Sequence, residues 1–572
     1  MSKYSVKTVH PHVMPNLDEW PVYKLSEDRR QFVQDLDENT LEDLMENSTD
    51  QLSDIITETV YLERIRIKEE PWKVDPPKEK QFWNRIRKKL VKYTLDQPKE
   101  IAAKNNEEIL NQIIHRYSEE IVGTFKISTF LFARRFLTFF FNRLFQAKQR
   151  GFFRLGGARR RLYEKINVHG EIEKLRELFQ KGTVVVVPTH HSNLDSIMIG
   201  YALDAVVGIP SFSYGAGLNL YNAGSAAYFM NRIGAYRVDR RKKNPVYLRT
   251  LKINSRLLIE RGINSIFFPG GTRSRSGALE DKLKLGLLNT TIEAQRNLLL
   301  KGEERKVFII PLILSYPFVL EAAPLVKQYL KKSGKERFID NKDTTPKPFK
   351  ILQFIWKILA EGTNITLSVG QPMDVLGNKV DSNGDSFDQF GKKIDIKDYF
   401  MLNGQVTKDK QRESVYTIEL GTSIVERYHK DNIVLSSHLV AFAAFNMLKK
   451  ENQKLDLYGV LRLPSEDYHF EYENLKLVVD QLLSHLRQME SEGNIKLSSI
   501  LLKGDPDQII KDGVQHLGAF HVNKPLRFDK QKQVISDSFQ LLYFYHNRLL
   551  NYDLDKVIKI KMPKVLATTV EI

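Results

Sequence analysis

The chain has 572 residues, of which 42% are hydrophobic and 27% are charged, a balance typical of globular proteins rather than of extensively disordered ones. Its formal net charge of +17 indicates a polyanionic partner, such as an anionic membrane surface, an acidic protein or a nucleic acid. Because the sequence contains no cysteine, disulfides, thiolate-bound zinc and a cysteine nucleophile are excluded.

The first 80 residues are predicted to form a charged and largely irregular segment that ends in a linker. The N-terminus lacks the apolar core of a secretion signal. Helix-like patches such as residues 40–61 interrupt this segment, and the paired prolines of DPPKEK (75–80) exclude helix at its end. A helical region is predicted to follow over residues 81–160.

The most apolar part of this helical region is an aromatic stretch at residues 125–145. It is not apolar enough to be a convincing transmembrane span, because Arg134 and Arg135 interrupt it. Two interpretations remain open at this stage. The stretch is either a core helix or an interfacial helix whose arginines face anionic lipid headgroups.

Residues 161–400 are predicted to form an α/β domain with a largely parallel sheet, because short β-branched runs alternate with helical patterns. The predicted strands are TVVVVP (183–188), INSIFFP (263–269), KVFIIPLIL (306–314) and NITLSVG (364–370). Residues 327–350 are predicted to be a polar insertion, and residues 378–400 a loop that leaves the sheet. Residues 401–572 are predicted to form a helical C-terminal domain.

Two histidines and an aspartate follow the first predicted strand, in PTHHSNLDS (188–196). Sheets of this class place their ligand crevices where a strand ends and a helix begins. Asp195 lies near enough along the chain to reach back to the ring of His190. A carboxylate there would fix the tautomer of the imidazole, which could then act as a general base. The spacing alone is weak evidence, since a first-turn aspartate is also favoured by the helix dipole.

The second candidate stretch, FFPGGTRSRSG (267–277), is expected to bind an anion. Two glycines after a buried strand allow a tight turn and a close approach to a ligand. Arginine side chains match the geometry of phosphate oxygens. The hydroxyl and guanidinium groups of the stretch belong to Thr272, Arg273, Ser274, Arg275 and Ser276.

Two further stretches carry weaker signals. IGAYRVDRRKK (233–243) places Arg237, Arg240 and Arg241 on a segment that could return toward the crevice, although a solvated charge run is the more common interpretation. IIPLILSYP (309–317) is expected to be a core strand. The sequence shows no Walker loop, dinucleotide fingerprint, metal-site spacing or recognisable nucleic-acid-binding module.

The order of these four stretches resembles the four sequence blocks of the glycerolipid acyltransferase superfamily. Further likeness favours one branch, the large membrane-bound glycerol-3-phosphate acyltransferases, and lies in residues 111–125, 166–196, 216–222, 282–288, 439–450 and 541–550. That branch has an α/β catalytic domain between helical N-terminal and C-terminal regions, which is the fold the resemblance implies.

The resemblance also implies roles for individual residues. His190 and Asp195 match a histidine and an aspartate separated by four residues, which act as the base and the group that orients it. His191 lacks that spacing and is expected to line the pocket or to serve a structural purpose. The residues expected to bind substrate are Asn219, Arg240, Gly271, Thr272, Arg273, Ser274, Arg275, Lys284 and Pro311.

The reaction implied by the resemblance is transfer of an acyl group from a thioester to the sn-1 hydroxyl of glycerol 3-phosphate, without an acyl-enzyme. The acyl donor is expected to be acyl-CoA or acyl carrier protein, and no cofactor or metal is expected. The other expected partner is an anionic membrane surface, with peripheral or monotopic attachment at the cytoplasmic face. Nucleic acid is not expected as a partner.

One position departs from the resemblance, because the family has glutamate where this chain has Gly270. The change removes a negative charge beside the expected phosphate site, and with it a group that could orient an arginine. Two alternatives therefore stay open. The acceptor could be dihydroxyacetone phosphate or lysophosphatidate, or the protein could be a catalytically silent lipid- or phosphate-binding membrane protein.

Overall fold

The computed structural model describes residues 9–47, 49–73, 75–93, 99–146, 166–221, 228–333, 365–465 and 468–559. It confirms the predicted fold class, since a mostly parallel sheet covered by helices stands between helical N-terminal and C-terminal regions.

The N-terminal region is helical over most of its described length, which corrects the prediction of a largely irregular segment. A 3-10 turn at Leu17–Glu19 precedes its helices, which are α1 (Pro21–Glu27), α2 (Arg29–Met45), α3 (Thr49–Glu69), α4 (Glu79–Tyr93), α5 (Lys99–Ile121) and α6 (Ile127–Gln146). The prolines at 76 and 77 do separate α3 from α4, as their exclusion from helix requires.

Helix α2 combines a buried apolar side with ion pairs to the α/β region. Phe32, Val33, Leu36 and Leu44 are buried on one side of this helix, and Asp35 and Asp43 pair with arginines of the α/β region. Arg261 pairs with Asp28 and Asp35, and Arg249 pairs with Asp43.

The sheet and its helices occupy residues 166–369. The strands are β1 (Ile166–Gly170), β2 (Gly182–Pro188), β3 (Ser213–Gly217), β4 (Ala235–Val238), β5 (Ser265–Ile266), β6 (Lys306–Ser315) and β7 (Ile365–Val369). The helices are α7 (Ile172–Lys181), α8 (Asp195–Ala202), α9 (Pro245–Glu260), α10 (Leu285–Leu300) and α11 (Ala322–Ser333). A π turn at Leu203–Val207 and a 3-10 turn at Leu218–Tyr221 complete this region.

Among the described residues the strand order of this sheet is β1-β7-β6-β2-β5-β3-β4. Pairing is parallel except between β6 and β7, which are antiparallel. The predicted strand at 263–269 is shorter than expected, because only Ser265 and Ile266 join the ladder. Beyond them the chain leaves the sheet and enters the glycine-rich loop.

The four valines of β2 explain why this strand is central. Val184 and Val186 face a hydrophobic cluster that includes α7 and α8, whereas Val185 and Val187 face a cluster that includes α10 and the C-terminal helices. Side chains alternate between the two faces of a strand, so a continuous valine run suits a strand that is covered on both faces.

Residues 378–400 form short antiparallel strands rather than the predicted loop. They comprise β8 (Lys379–Val380), β9 (Ser386–Phe387), β10 (Lys393–Ile394) and a 3-10 turn at Ile396–Phe400, and β11 (Met401–Leu402) and β12 (Gln405–Val406) follow as a hairpin. The predicted polar insertion at 327–350 begins inside α11, and the remainder of it lies outside the described residues.

The C-terminal region surrounds one almost fully buried helix, α13. Its helices are α12 (Lys410–Lys430), α13 (Ser436–Glu451), α14 (Leu457–Leu461), α15 (Tyr472–Ser491), α16 (Ser499–Lys503), α17 (Pro506–His516) and α18 (Phe539–His546), and 3-10 turns follow at Asn547–Tyr552 and Leu554–Lys556. Its short strands are β13 (Ile433–Val434), β14 (His469–Phe470), β15 (Lys496–Leu497), β16 (Arg527–Phe528) and β17 (Val534–Ile535).

A buried ion network joins α3 and α4 to the segment that follows β4 in the α/β region. Arg66 donates to Glu63 at 2.7 Å and to Asp75 at 3.1 Å, and it also pairs with Glu79. Its side chain is only 3% exposed. Asp75, which the sequence places in a linker, is thereby anchored, and Arg241 pairs with it from the other side.

We expect Arg66→Met to lower the free energy of unfolding by about 3–5 kcal/mol, because the substitution leaves buried carboxylates without their cation. Urea denaturation measures this change. Arg64→Met, an exposed position on the same helix, is the matched control and should have little effect. Equal stabilities of the two variants would show that the network contributes nothing to folding.

Candidate active site

His190 and Asp195 lie in the loop between β2 and α8. The strand ends at Pro188, after which the N–H of Thr189 still donates to the carbonyl of Leu312, so the loop leaves from a fixed point of the sheet. Helix α8 begins at Asp195 itself, and a carboxylate in the first helical turn is favoured by the helix dipole.

Asp195 is fully buried and accepts hydrogen bonds on both carboxylate oxygens. Oδ2 lies 2.8 Å from Nδ1 of His190, and it accepts the backbone N–H groups of His191 at 2.7 Å and Ser192 at 2.9 Å. Oδ1 accepts the phenol hydroxyl of Tyr316 at 2.8 Å. These donors stabilise the ionised carboxylate, which would otherwise be costly to bury.

The contacts of the His190 ring fix both its orientation and its tautomer. Because Nδ1–H of the ring donates a hydrogen bond to the Asp195 carboxylate, the lone pair of the neutral ring is on Nε2. Phe268 stacks on the imidazole with a centroid separation of 4.1 Å and an interplanar angle of 28°. The side chain of His190 is 15% exposed, so the site is open to a ligand while most of the ring is shielded.

His191 is buried and belongs to a different set of contacts. Its Nε2 faces a guanidinium nitrogen of Arg548, and because arginine can only donate, Nε2 is the acceptor of a neutral ring. Burial and the charge of Arg548 hold the pKa of His191 well below its usual value. His191 therefore cannot accept the proton of a substrate, which leaves His190 as the candidate base.

Arg548 brings the C-terminal region into the site. It is 6% exposed and donates to the carbonyl of Leu314 at 2.8 Å, to the hydroxyl of Ser315 at 3.2 Å and to Oδ1 of Asn432 at 2.8 Å. Burial lowers the pKa of Arg548 to about 10, so it remains a cation at neutral pH. The buried guanidinium of Arg548 thus contacts both the C-terminal end of β6 and the loop that carries His191.

The glycine-rich loop approaches a lysine side chain at Gly271. This residue has φ +74°, in the left-handed region that favours glycine. An ideal Cβ at this position would lie 2.6 Å from Cδ of Lys284 and 3.2 Å from its ammonium nitrogen. Glycine at 271 is therefore favoured by the backbone conformation, and the Lys284 side chain lies directly against it.

The loop is connected directly to the backbone of His190. The N–H of Ser274 donates to the carbonyl of His190 at 2.7 Å. Arg273 contacts Glu321 at 3.3 Å, and Glu321 in turn accepts from the hydroxyl of Ser192 at 3.0 Å. Burial raises the pKa of Glu321. The candidate base and the candidate anion-binding loop therefore form one connected unit.

The remaining predicted substrate-binding residues differ in their exposure. Arg240, Thr272 and Arg275 are exposed, and the side chain of Asn219 lies outside the described residues. Pro311 is buried within β6 opposite Val187 of β2. Its carbonyl accepts the N–H of Gly370 at 2.8 Å, which places Pro311 in the sheet framework.

Two arginines of the 233–243 stretch have structural partners in the N-terminal region. Arg241 pairs with Asp75 and Asp239, and it stacks on the ring of Trp72. Arg237 lies 3.9 Å from Glu120. The expectation that this stretch returns to the crevice therefore fails for Arg241, because buried carboxylates hold its guanidinium.

A comparison with known families finds a similarity in this part of the chain. Residues 165–315 match the family model described as Acyltransferase. The match supports the glycerolipid acyltransferase superfamily and, as a general function, O-acyl transfer in lipid biosynthesis.

The matched region contains the loop with His190 and Asp195 and the glycine-rich loop. Several residues that complete its site were missed by the sequence analysis, and they are Phe268, Glu280, Tyr316, Glu321, Asn432, His438 and Arg548. Tyr316 had a signal, since it directly follows the end of a predicted strand. In the part of the chain that the structure describes, no group of histidine and acidic side chains could hold a metal ion.

His438 contacts the candidate site from α13 and makes the stability of the folded protein depend on pH. Its Nε2–H donates to the carbonyl of Tyr316 at 3.0 Å, and its Nδ1 accepts the N–H of Leu435 at 3.3 Å. Burial lowers the pKa of His438 to about 3. In the unfolded chain the pKa of a histidine is about 6.5. Between about pH 6.5 and pH 3 the unfolded state therefore binds a proton that the folded state does not, and the free energy of unfolding falls as the pH falls.

We expect His438→Gln to weaken this pH dependence. Below pH 6 the wild-type protein should lose about 1.4 kcal/mol of stability per pH unit through this histidine, and the variant should lack that contribution. Denaturant unfolding between pH 6 and pH 4.5 measures the two slopes. His469→Gln, at an exposed position, is the control. Parallel slopes for His438→Gln and the wild type would contradict the assignment.

Proposed function

We propose that the protein is a glycerol-3-phosphate O-acyltransferase that transfers an acyl group to the sn-1 hydroxyl. The observation that supports this most is the connection between His190 and the glycine-rich loop, made by the 2.7 Å hydrogen bond from Ser274. This bond holds a general base and a cationic loop at a fixed separation. A substrate with both a hydroxyl and a phosphate suits such an arrangement.

The chemistry follows from the tautomer of His190. Nε2 takes the proton of the acceptor hydroxyl as its oxygen attacks the thioester carbonyl carbon, while the Asp195 carboxylate stabilises the imidazolium that forms. The tetrahedral intermediate then expels the thiolate as the C–S bond breaks, and the imidazolium returns the proton to sulfur. The products are an ester and a free thiol, and no acyl-enzyme is formed.

Arg273 and Lys284 are the proposed phosphate ligands within this unit. Lys284 extends over Gly271 and is exposed, so its ammonium group is open to a ligand. Glu321 orients the guanidinium of Arg273 beside the loop of His190. Arg240, Arg275, Thr272 and Asn219 remain proposed contacts from the resemblance, with acyl-CoA or acyl carrier protein as the donor.

An acyl-transfer assay on the purified protein tests the proposal. Glycerol 3-phosphate, dihydroxyacetone phosphate and lysophosphatidate are offered in turn with acyl-CoA and with acyl carrier protein as donors. We expect acylation of glycerol 3-phosphate with the highest kcat/KM. A preference for another acceptor would reassign the substrate, and no acylation at all would favour the silent lipid-binding alternative.

We expect His190→Ala to lower kcat by about 100- to 10,000-fold, because the variant lacks the general base. His485→Ala, a histidine of the C-terminal region, is the matched control and should retain wild-type kcat. Thermal unfolding of both variants shows whether the fold is intact. Wild-type kcat in a folded His190→Ala protein would refute the proposed mechanism.

We also propose that α6 attaches the protein to an anionic membrane surface at the cytoplasmic face. Phe132, Phe136 and Phe139 are 58%, 44% and 64% exposed, and their spacing places them along one side of the helix. The opposite side is buried, since Phe130 packs in the N-terminal core. No helix among the described residues combines the length and apolar character needed to cross a membrane.

The arginines of α6 are divided between the two sides of the helix. Arg134 is buried against Asp204 at 2.9 Å, which corrects the expectation that it faces lipid headgroups. Arg135 is exposed next to the phenylalanines. Thr138 contacts the hydroxyl of Tyr201 on α8, the helix that begins at Asp195. The proposed membrane surface therefore adjoins the helix that orients the base.

Replacement of Phe132, Phe136 and Phe139 together by serine should abolish sedimentation with anionic vesicles. Burial of a phenylalanine in an apolar phase contributes about 1.5–3 kcal/mol, so the triple change should lower the partition coefficient by about 100-fold or more. Phe390→Ser, at an 85% exposed position on another surface, is the control. Equal binding by the triple variant, or equal binding of the wild type to neutral vesicles, would contradict the proposal.

A further inference from the structure

Gly270 faces the carboxyl group of Glu280. An ideal Cβ at position 270 would lie 3.1 Å from Cγ, 3.3 Å from Oε1 and 3.6 Å from Cδ of Glu280. These are the nearest atoms to that Cβ outside the adjacent residues. A side chain at 270 and the carboxyl group of Glu280 would therefore compete for the same space.

The backbone at Gly270 does not itself require glycine. Gly271 has a positive φ, but Gly270 is not among the glycines with this conformation. An L-residue could adopt the backbone of position 270 without strain. The obstacle to a side chain at this position is Glu280, which would have to move by a few tenths of an ångström to admit a Cβ. Glu280 thus places a carboxyl group beside position 270 from further along the chain.

Glu280 contacts the backbone of the candidate base directly. Its Oε1 accepts the N–H of His190 at 2.8 Å, while the N–H of Ser274 donates to the carbonyl of the same residue. The two peptide groups on either side of the His190 Cα are therefore each fixed by the segment 270–280. The second oxygen, Oε2, is buried and has no hydrogen-bond partner among the described residues. Burial raises the pKa of Glu280 to about 7.

We propose that Glu280 is a positioning residue for His190. The carboxyl group of Glu280 occupies the space beside Gly270 and holds the backbone of the base. The proposal rests on the proposed function only in taking His190 as the base. Displacement of a catalytic group by about 1 Å can lower a rate by about 100-fold. Loss of the Glu280 contact is thus expected to lower kcat without removing a phosphate ligand.

The test moves the carboxyl group from one position to the other. In Glu280→Ala the space beside Gly270 is empty, and in Gly270→Glu/Glu280→Ala a glutamate at 270 can fill it. The Cβ of residue 270 lies 3.3 Å from the present Oε1, a distance that a glutamate side chain spans between its own Cβ and Oε. Gly270→Leu/Glu280→Ala is the matched control, since leucine fills the space but cannot accept a hydrogen bond.

We expect Glu280→Ala to lower kcat by about 10- to 100-fold and to change the KM of the acceptor by less than about 3-fold. The glutamate double variant should recover kcat to within about 3-fold of the wild type, whereas the leucine control should remain as slow as Glu280→Ala. Unchanged kcat in Glu280→Ala, or equal rates for the two double variants with intact thermal unfolding, would overturn the proposal.

A second measurement does not depend on activity. Hydrogen exchange at the His190 amide, followed with selective 15N-histidine labelling, should be about 10-fold faster in Glu280→Ala and slow again in the glutamate double variant. If the wild type acylates none of the acceptors, the proposed function fails and this exchange rate alone decides the role of Glu280. Exchange unchanged by Glu280→Ala would refute the contact itself.

Discussion

A fully buried carboxylate is the constraint on which the arrangement of the site depends. Asp195 must be satisfied by hydrogen bonds, because an unpaired charge in the interior is strongly destabilising. Its donors come from the loop after β2 and from Tyr316 after β6. The C-terminal ends of these two neighbouring strands must therefore lie side by side. His438 then fixes the carbonyl of Tyr316, which extends the same requirement to α13. The tautomer of His190 is a consequence of this packing.

The hydrogen bonds between His190 and the segment 270–280 fix the distance between the candidate base and the cationic side chains of the glycine-rich loop. Both peptide groups around the His190 Cα are bonded to residues of the segment 270–280. A shift of that segment would move the cationic side chains and the imidazole together. Acyl transfer between a bound hydroxyl and a thioester depends on such fixed separations. The acidic residues Glu280 and Glu321 are part of this framework although the expected ligand is an anion.

The sequence predicted those features that are determined by neighbours along the chain. The valine run of β2, the glycine turn and the short separation of His190 from Asp195 are all local patterns, and each was found where it was expected. Contacts with Arg548 and Tyr316 could not be predicted, because they join residues far apart in the chain. The helicity of α2 was missed for another reason. Its apolar residues Phe32, Val33, Leu36 and Leu44 stand among many charged ones, and the partners of charges such as Asp43, which pairs with Arg249, lie far away in the chain.

The participation of Arg548 has a consequence for synthesis of the protein. His191 and Arg548 are 357 residues apart, so a ribosome adding about 5–20 residues per second separates their appearance by on the order of 20 to 70 s. Asn547 also donates to the carbonyl of Ser276, and the Gly277 Cβ position is closed by the carbonyl of Phe544. During that interval the nascent chain carries both loops without the segment that braces them. The site is thus completed late in translation, when the sheet beneath it has already been made.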